Sequence, residues 1–381
     1  MSLRILLIHR AGWGGAERTL LDFVDGLPRD EYTVTAAAPT GRFCDQLAAK
    51  GIAVELVDFP SWRKARDALR SWFCLRAMSR LASSLQPQLL IAGDIRTVPY
   101  AAAAARRNHC PCLAFMQDGT IQERHIRAYR VHRADMVLCP SARLLERVRL
   151  GGVESERSLL LPVGIDTERF HTAPQGLSLR KEWETESGAI LVGCVGSISH
   201  LKGQDILVEA ILPVLERDRR VRLVFVGSGP DRLLRELKSK THTFVESGQV
   251  RFEGWHEDIP AAFAALDIVV VPSRAESFSR VAAEAMAMGK PVVASRTGAV
   301  EELFDHDRCG LSVPVGDTSA LREALIRILA DVDLRQRLGQ DAMERIRESF
   351  SLHESQKTFR KIVRFLCGAS ENSASVHDEI K

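Results

Sequence analysis

The sequence predicts an α/β protein of two Rossmann-like domains, and three observations carry that expectation. Short apolar runs alternate with amphipathic stretches along almost the whole chain, the pattern of parallel strands covered by helices on both faces. The alternation is interrupted at His171-Thr-Ala-Pro-Gln-Gly176, a breaker-rich stretch suited to a linker, and then restarts. The 381 residues leave room for two ordinary domains.

In the first half Ile5–Ile8, Thr33–Ala38, Val54–Val57, Leu89–Ala92, Cys112–Phe115 and Met136–Cys139 read as short buried strands. Ala16–Gly26 and Arg42–Lys50 read as helices between them. In the second half the strands are Ile190–Val195, Arg222–Val226, Val250–Glu253, Ile268–Val271 and Pro291–Ala294. The intervening helices are Ile206–Glu216, Asp231–Lys240, Ile259–Ala265 and Phe278–Met288. Thr318–Ala330, Leu334–Ser349 and Leu352–Leu366 make a helical end. The expected domains are residues 1–170 and 171–350, hinged near 170–188. A C-terminal helix at 351–367 follows, and the Ser/Asn/acid-rich tail at 368–381 is expected to be disordered.

With 45% hydrophobic and 27% charged residues the composition is that of a soluble globular protein. A net charge of +3 gives no argument for a nucleic-acid partner. The opening MSLRILLIHRAGWGG is too short for a membrane span and lacks the regions of a signal peptide, so a cytoplasmic protein is expected. The 8 cysteines are scattered, and the one close pair, Cys110-Pro-Cys112, does not have zinc-site spacing. They are expected to be reduced structural thiols.

The strongest local signal runs from Ile268 to Ala294: a buried strand, a loop with Glu276, a helix with Glu284, a glycine stop at Gly289 and a second strand. A helix that starts at the carboxyl end of a parallel strand offers unpaired N–H groups and the positive end of its dipole, a natural seat for a diphosphate. Two carboxylates beside it suit the hydroxyls of a sugar. Taken singly, each glutamate also reads as a solvated helix-terminal charge.

The stretch Ser273-x-x-Glu276 through Glu284-Ala-Met-Ala-x-Gly289-x-Pro-Val resembles the glutamate-pair motif of glycosyltransferase family 4, retaining enzymes of the GT-B fold. Gly14-Gly15-Ala16-Glu17 is similar to the glycine loop after the family's first strand. Pro162-Val-Gly-Ile-Asp166-x-x-x-Phe170 matches the stretch closing the first domain, with Val163 in place of asparagine. Val195-Gly-Ser-Ile-Ser-His-Leu-Lys-Gly203 resembles the phosphate-binding loop opening the second. Val226-Gly-x-Gly-Pro230, Val250-x-Phe-x-Gly-Trp255 and Gly310-Leu-x-Val-Pro314 follow in family order.

The resemblance implies two domains facing each other across a cleft, the first binding acceptor and the second nucleotide sugar, with the C-terminal helix crossing back to the first. It implies Glu276, Lys202 and Asp118 as catalytic residues: Glu276 on the donor sugar near the reacting centre, Lys202 on the departing diphosphate, and Asp118 as a sugar contact. Glu284 is expected on the ribose, and the backbone of Ser277, Phe278, Ser279 and Arg280 on sugar hydroxyls and phosphate. Gly14 and Gly15 are expected to admit the donor, Ser197 to line the phosphate, and Arg251 the base. Ser197 stands where many members carry arginine, and Gln117-Asp118 where a His-Asp pair is frequent. No metal and no cofactor are expected. The implied donor is a nucleotide diphosphate sugar, UDP favoured over GDP, and the acceptor is a glycan, lipid-linked saccharide or small molecule. A sugar-nucleotide epimerase, a phosphorylase and a non-catalytic sugar-nucleotide binding protein remain alternatives.

Two other patterns stand out. Asp305-His306-Asp307 and Asp331-Val332-Asp333 have D-x-D form, but neither follows a central strand in a nucleotide-binding half. Trp62 to Arg80, read as a helix, groups Trp62, Ala65, Leu69, Trp72 and Phe73 beside Arg63, Arg66 and Arg70. That suggests peripheral contact with an anionic membrane surface through Trp62–Arg70, the alternative being a buried domain helix.

Overall fold

The computed structural model describes residues 2–10, 12–62, 65–171 and 175–368. Arg63, residues 172–174 of the expected linker and the tail from Ala369 lie outside the described residues. The contacts divide the chain into two units, one of residues up to Gly164 together with those from Leu352, the other of Ile165–Ser351. Residues 165–170, expected at the end of the first domain, group with the second. The cause is local: the Ile165 N–H donates to the Phe350 carbonyl at 2.8 Å, and Ile165 bridges to Ser351.

The first unit is a seven-stranded sheet of β1 (Leu3–Ile8), β2 (Tyr32–Ala38), β3 (Ala53–Leu56), β4 (Leu89–Ala92), β5 (Cys112–Phe115), β6 (Met136–Cys139) and β7 (Ser158–Leu160), in the order β3-β2-β1-β4-β5-β6-β7. Every pairing is parallel. Its helices are α1 (Gly15–Asp25), α2 (Arg42–Ala49), α3 (Ala68–Leu85), α4 (Val98–Arg107), α5 (Glu123–Ala128) and α6 (Ala142–Leu150). The second unit opens with α7 (Gln175–Glu182). Its six strands are β8 (Ile190–Val195), β9 (Val221–Val226), β10 (Val250–Gly254), β11 (Ile268–Val271), β12 (Val292–Ser295) and β13 (Leu311–Val313), in the order β10-β9-β8-β11-β12-β13. All of these pairings are parallel too. The helices among and after them are α8 (Gln204–Arg217), α9 (Asp231–Lys240), α10 (His242–Glu246), α11 (Ile259–Ala265), α12 (Arg280–Ala287), α13 (Val300–Phe304), α14 (Thr318–Ala330) and α15 (Val332–Ser349).

Strand periodicity splits the first unit's core into two layers. Leu6 and Ile8 face the layer of Met78, Ala101 and Leu144, from α3, α4 and α6. Ile5 and Leu7 face the layer of Phe23, Phe43 and Phe359. Phe359 belongs to α16 (Leu352–Leu366), the last helix among the described residues, and its ring lies 5.1 Å from Phe23 and 5.6 Å from Phe115. Gln356 Nε2 donates to the Asp22 carbonyl at 2.7 Å and fixes the same helix against α1. The eight cysteines are all free. Burial pushes the Cys194 thiol up to about 12, which keeps it an inert apolar filler.

Strand order also fixes where a ligand can approach. In both sheets the order reverses once, between β1 and β4 in the first unit and between β8 and β11 in the second. At such a reversal the loops leaving two adjacent strands diverge to opposite faces and open a crevice at the carboxyl edge. The loops after β8 and β11 carry Ser197–Lys202 and Ser273–Ser279.

Candidate functional site

In the second unit the two loops at the crevice are fastened to each other. The Arg274 N–H donates to the Leu201 carbonyl at 2.7 Å, and the Arg274 guanidinium donates to the His200 carbonyl at 2.8 Å. That guanidinium also grips Asp205 through two bonds of 2.8 and 2.7 Å. The Arg274 hydrogen bonds hold the Asp205 carboxyl below its ordinary range, against a smaller opposing effect of burial. A lowered carboxyl stabilises the fold above its unfolded-state pKa and loses that contribution as pH falls through the folded value. The stability gap between wild type and Asp205→Asn is therefore expected to be full at neutral pH and to narrow progressively as pH falls below about 4. Urea melts across that range read it, and a gap that does not narrow as pH falls from about 5 to about 2 would count against the pairing.

Within this frame Lys202 and Glu276 meet. Lys202 Nζ donates to Glu276 Oε1 at 2.6 Å, and Ser273 Oγ donates to the same oxygen at 2.8 Å. Ser273 is buried at 1% exposure, whereas the Lys202 and Glu276 side chains keep 28% and 13%. The serine therefore serves as a fixed anchor, and the ion pair stays reachable from solvent. Two glycines permit the approach. Gly203 has φ +68°, and a Cβ there would lie 2.1 Å from the Pro272 carbonyl oxygen. Gly227 has φ +146°, and its Cβ would lie 2.0 Å from the Gly196 oxygen. Side chains at either position would drive the phosphate-type loop off its neighbours.

The helix expected from Phe278 begins at Arg280, because Ser279 adopts φ +99° and breaks the helical run. Ser279 is the N-cap residue, 3% exposed, and its Oγ is buried without a hydrogen-bond partner. A buried hydroxyl without a partner at the start of a helix is a polar group suited to an acceptor. Glu284, 4% exposed, accepts from Arg280 Nε at 3.1 Å one turn along the same helix. Phe278 is buried and packs on Phe350 at 5.8 Å. Gly298, at φ +54°, lies so close that a Cβ would touch the backbone of Glu276, Ser277 and Phe278 at 2.9 to 3.0 Å. The loop after β12 thus braces the Glu276 loop from behind.

The remaining expected site residues are distributed. Ser197 lies in the same loop as Lys202, and its carbonyl accepts from Gln204 Nε2 at 3.0 Å. Arg251 stands apart on the edge strand β10, level with Val224 of β9 and ion-paired to Glu253 at 3.2 Å and Glu184 at 3.5 Å. No hydrogen bond or ion pair among the described residues joins it to the Lys202–Glu276 pair. Gly14, Gly15 and Asp118 belong to the first unit. Gly14 caps α1 with extended backbone, φ −166°. Asp118 Oδ1 accepts from the Thr120 N–H at 2.9 Å and forms a turn after β5. The neighbouring Gln117 has its Nε2 buried without a partner. Registers Ile8↔Ala92 and Ala92↔Ala114 put the loops holding Gly14–Gly15 and Asp118 on one edge of that sheet.

Two family models cover most of the chain. One described as Glycosyltransferase Family 4 matches residues 13–169, and one described as Glycosyl transferases group 1 matches residues 189–331. The chain belongs to glycosyltransferase family 4. Among relatives of this family 4 chain, a D-inositol 3-phosphate glycosyltransferase from Saccharomonospora viridis is 32% identical over 237 residues, 60% of this chain and 54% of that one. The chain thus spans about half the length of that relative. The lipopolysaccharide core biosynthesis glycosyltransferase LpsD from Rhizobium meliloti is 26% identical over 349 residues, 92% of this chain and 94% of that protein. The crystal structure of Anabaena HepE in complex with UDP has a TM-score of 0.83 at 23% identity, covering 95% of this chain and 99% of that one. It shows the fold.

Three features of the family 4 chain are not evident from its motifs. Gln204 spans the phosphate-type loop, its Oε1 accepting from the Ser199 N–H at 3.3 Å while its Nε2 holds Ser197. In the first unit His9, 2% exposed, lies between Glu17 at 3.2 Å and Asp94 at 3.5 Å. Burial of Glu17 opposes its charge, but the His9 hydrogen bond and charge outweigh that and keep the carboxyl below its usual range. The D-x-D patterns have structural duties: Asp307 accepts from the Ser312 N–H at 2.8 Å, and Asp331 caps α15 through the Leu334 N–H at 2.8 Å. Among the described residues no group of three His, Cys, Asp or Glu side chains is placed to hold a metal ion.

Proposed function

We propose that the chain transfers a hexosyl group from a nucleotide diphosphate sugar to an acceptor hydroxyl with retention of configuration. One observation carries the reading: the Ser273–Glu276–Lys202 cluster stands at the crevice of the second sheet beside the orphaned Ser279 hydroxyl and the start of α12. The helix start and Lys202 suit a diphosphate, and Glu276 and Glu284 suit hydroxyls. In the proposed step the C1–oxygen bond to the diphosphate breaks as the acceptor oxygen bonds C1 from the same face. The acceptor proton passes to the departing phosphate oxygen. Lys202 and the α12 N–H groups stabilise the developing negative charge, and no metal takes part.

A UDP sugar is the favoured donor and a GDP sugar the alternative, the former supported by the HepE complex with UDP. The acceptor is a hydroxyl of a glycan, a lipid-linked saccharide or a small molecule. A thermal-shift panel of UDP-, GDP- and ADP-sugars tests the reading, since a donor at one hundred times its dissociation constant adds about 2.7 kcal/mol of stability. No shift with any nucleotide sugar would overturn it. A sugar-nucleotide binding protein without turnover is the second reading, favoured by the uncharged Ser197; donor turnover abolished by Glu276→Ala rejects it.

No helix among the described residues is long and apolar enough to cross a membrane.

A further inference from the structure

We propose that the first unit docks peripherally on an anionic lipid bilayer through the outer face of α3 and the arginines at the end of α4. This inference stands independently of the transfer reading. The inner face of α3 is Ser71, Cys74, Met78 and Ala82, all buried. The outer face leaves Leu69 75%, Trp72 47% and Phe73 64% exposed. Helical spacing places Arg76 and Arg80 on the same outer face, one and two turns further on. The contact thus has a different membership from the one expected between Trp62 and Arg70. Trp62 is half-buried against Tyr100, with rings 5.7 Å apart, and Arg70 is committed to Asp58 at 2.9 Å. Leu69, Trp72 and Phe73, expected on a common apolar side, face solvent instead of the core.

Charge decides what fits this face. Neither α3 nor α4 contains an aspartate or glutamate. Arg76 lies over the Trp72 ring at 4.6 Å, and a groove of about 370 Å³ is lined by Trp72, Arg76, Arg106 and Arg107. Arg106 also lines a neighbouring cavity of about 650 Å³ with Trp62, Arg130 and Arg133. The acid in that cavity, Asp135, accepts from the Cys112 N–H at 2.8 Å. Arg76, Arg80, Arg106 and Arg107 have no carboxylate partner among the described residues.

An apolar tip flanked by unpaired guanidinium groups is complementary to an anionic bilayer: the rings enter the acyl boundary and the arginines meet lipid phosphates. A second copy of the chain fits less well. Three exposed apolar side chains bury far less than a stable dimer requires, and the same face would set arginine against arginine.

Co-sedimentation of the full chain with phosphatidylcholine vesicles, with and without phosphatidylglycerol, tests the proposal. The expected result is binding only to the phosphatidylglycerol vesicles, reversed by high salt. The triple variant Arg76→Ser, Arg106→Ser, Arg107→Ser should lose affinity on the order of hundredfold. Trp72→Ser with Phe73→Ser should lose about tenfold or more. Trp72→Phe should bind normally yet lose the blue shift of tryptophan fluorescence that wild type shows on vesicles. The paired Arg232→Ser, Arg235→Ser control on α9 should bind as wild type, and thermal melts confirm that every variant is folded. Equal binding to neutral vesicles, no binding at all, or equal loss in the α9 control would each overturn the proposal. A dimer that dissociates in the Trp72→Ser, Phe73→Ser variant without any vesicle binding would assign the face to self-association and overturn it too.

Discussion

Replacing Glu276 with alanine is expected to lower donor turnover by about 10²–10³-fold. The carboxylate has two duties in the structure. It receives the Lys202 ammonium at 2.6 Å and the Ser273 hydroxyl at 2.8 Å on one oxygen, so it fixes the cation that the proposed reaction places on the leaving diphosphate. Its charge also opposes the positive charge that develops at the sugar carbon. Glu276→Gln keeps an oxygen for Ser273 and Lys202 but removes the charge, so its activity should fall between wild type and alanine. Acceptor-independent hydrolysis of the donor that gives the largest thermal shift measures all three without knowledge of the acceptor. Nucleotide affinity, read separately, should change much less. An alanine variant that hydrolyses donor at the wild-type rate would remove Glu276 from the mechanism.

Gly203→Val is expected to destabilise the second unit by about 3 kcal/mol or more, lowering its melting temperature by roughly 6–12 °C. Two costs combine. The backbone at φ +68° is one that a β-branched residue seldom adopts, and the new Cβ would meet the Pro272 carbonyl at 2.1 Å. Relief requires the Lys202 loop and the Ser273–Ser279 loop to separate, which breaks the ion pair as well. Gly316→Val isolates the first cost, because Gly316 has φ +79° with nothing within 4 Å of its Cβ. The Gly203 variant should lose both stability and donor-induced shift, the Gly316 variant a smaller part of the stability alone. Equal losses in the two would show that the contact with Pro272 carries no strain.

The parallel strands were legible because a strand covered on both faces is a short continuous apolar run, and Ile5–Ile8 or Ile268–Val271 is nothing else. Elements without that signature were missed. Strand β7 is three residues long and begins with a serine, and α4 is so rich in buried alanine that no helical period shows. The fusion of Lys202 with Glu276 follows from strand order, which places β8 beside β11 although their loops are 74 positions apart. Motif resemblance named both residues but not their hydrogen bond. Gln204, His9 and Asp94 left no local trace, and Glu17 showed only within the glycine-loop motif, since each acts through backbone or side chains brought close only by the sheet. The start of α12 was misplaced for a related reason: nothing in the residue type of Ser279 announces positive φ.

The position of α16 bears on how the chain can be made. Asp22 and Gln356 are hydrogen-bonded although 334 positions apart, and Phe359 completes the aromatic cluster begun by Phe23 and Phe115. The second unit is one uninterrupted stretch of chain, whereas the first is assembled from both ends. During synthesis the amino-terminal strands emerge first, and the layer that α1 and α2 form over one face stays without Phe359, Ile362 and Val363 until α16 arrives. Domains generally fold as units while the chain emerges, so the unit begun first here is finished last. A ribosome that stops before Leu352 would release the second unit joined to a first unit whose Phe23 and Phe115 lack their Phe359 partner, a ready substrate for chaperones and for aggregation.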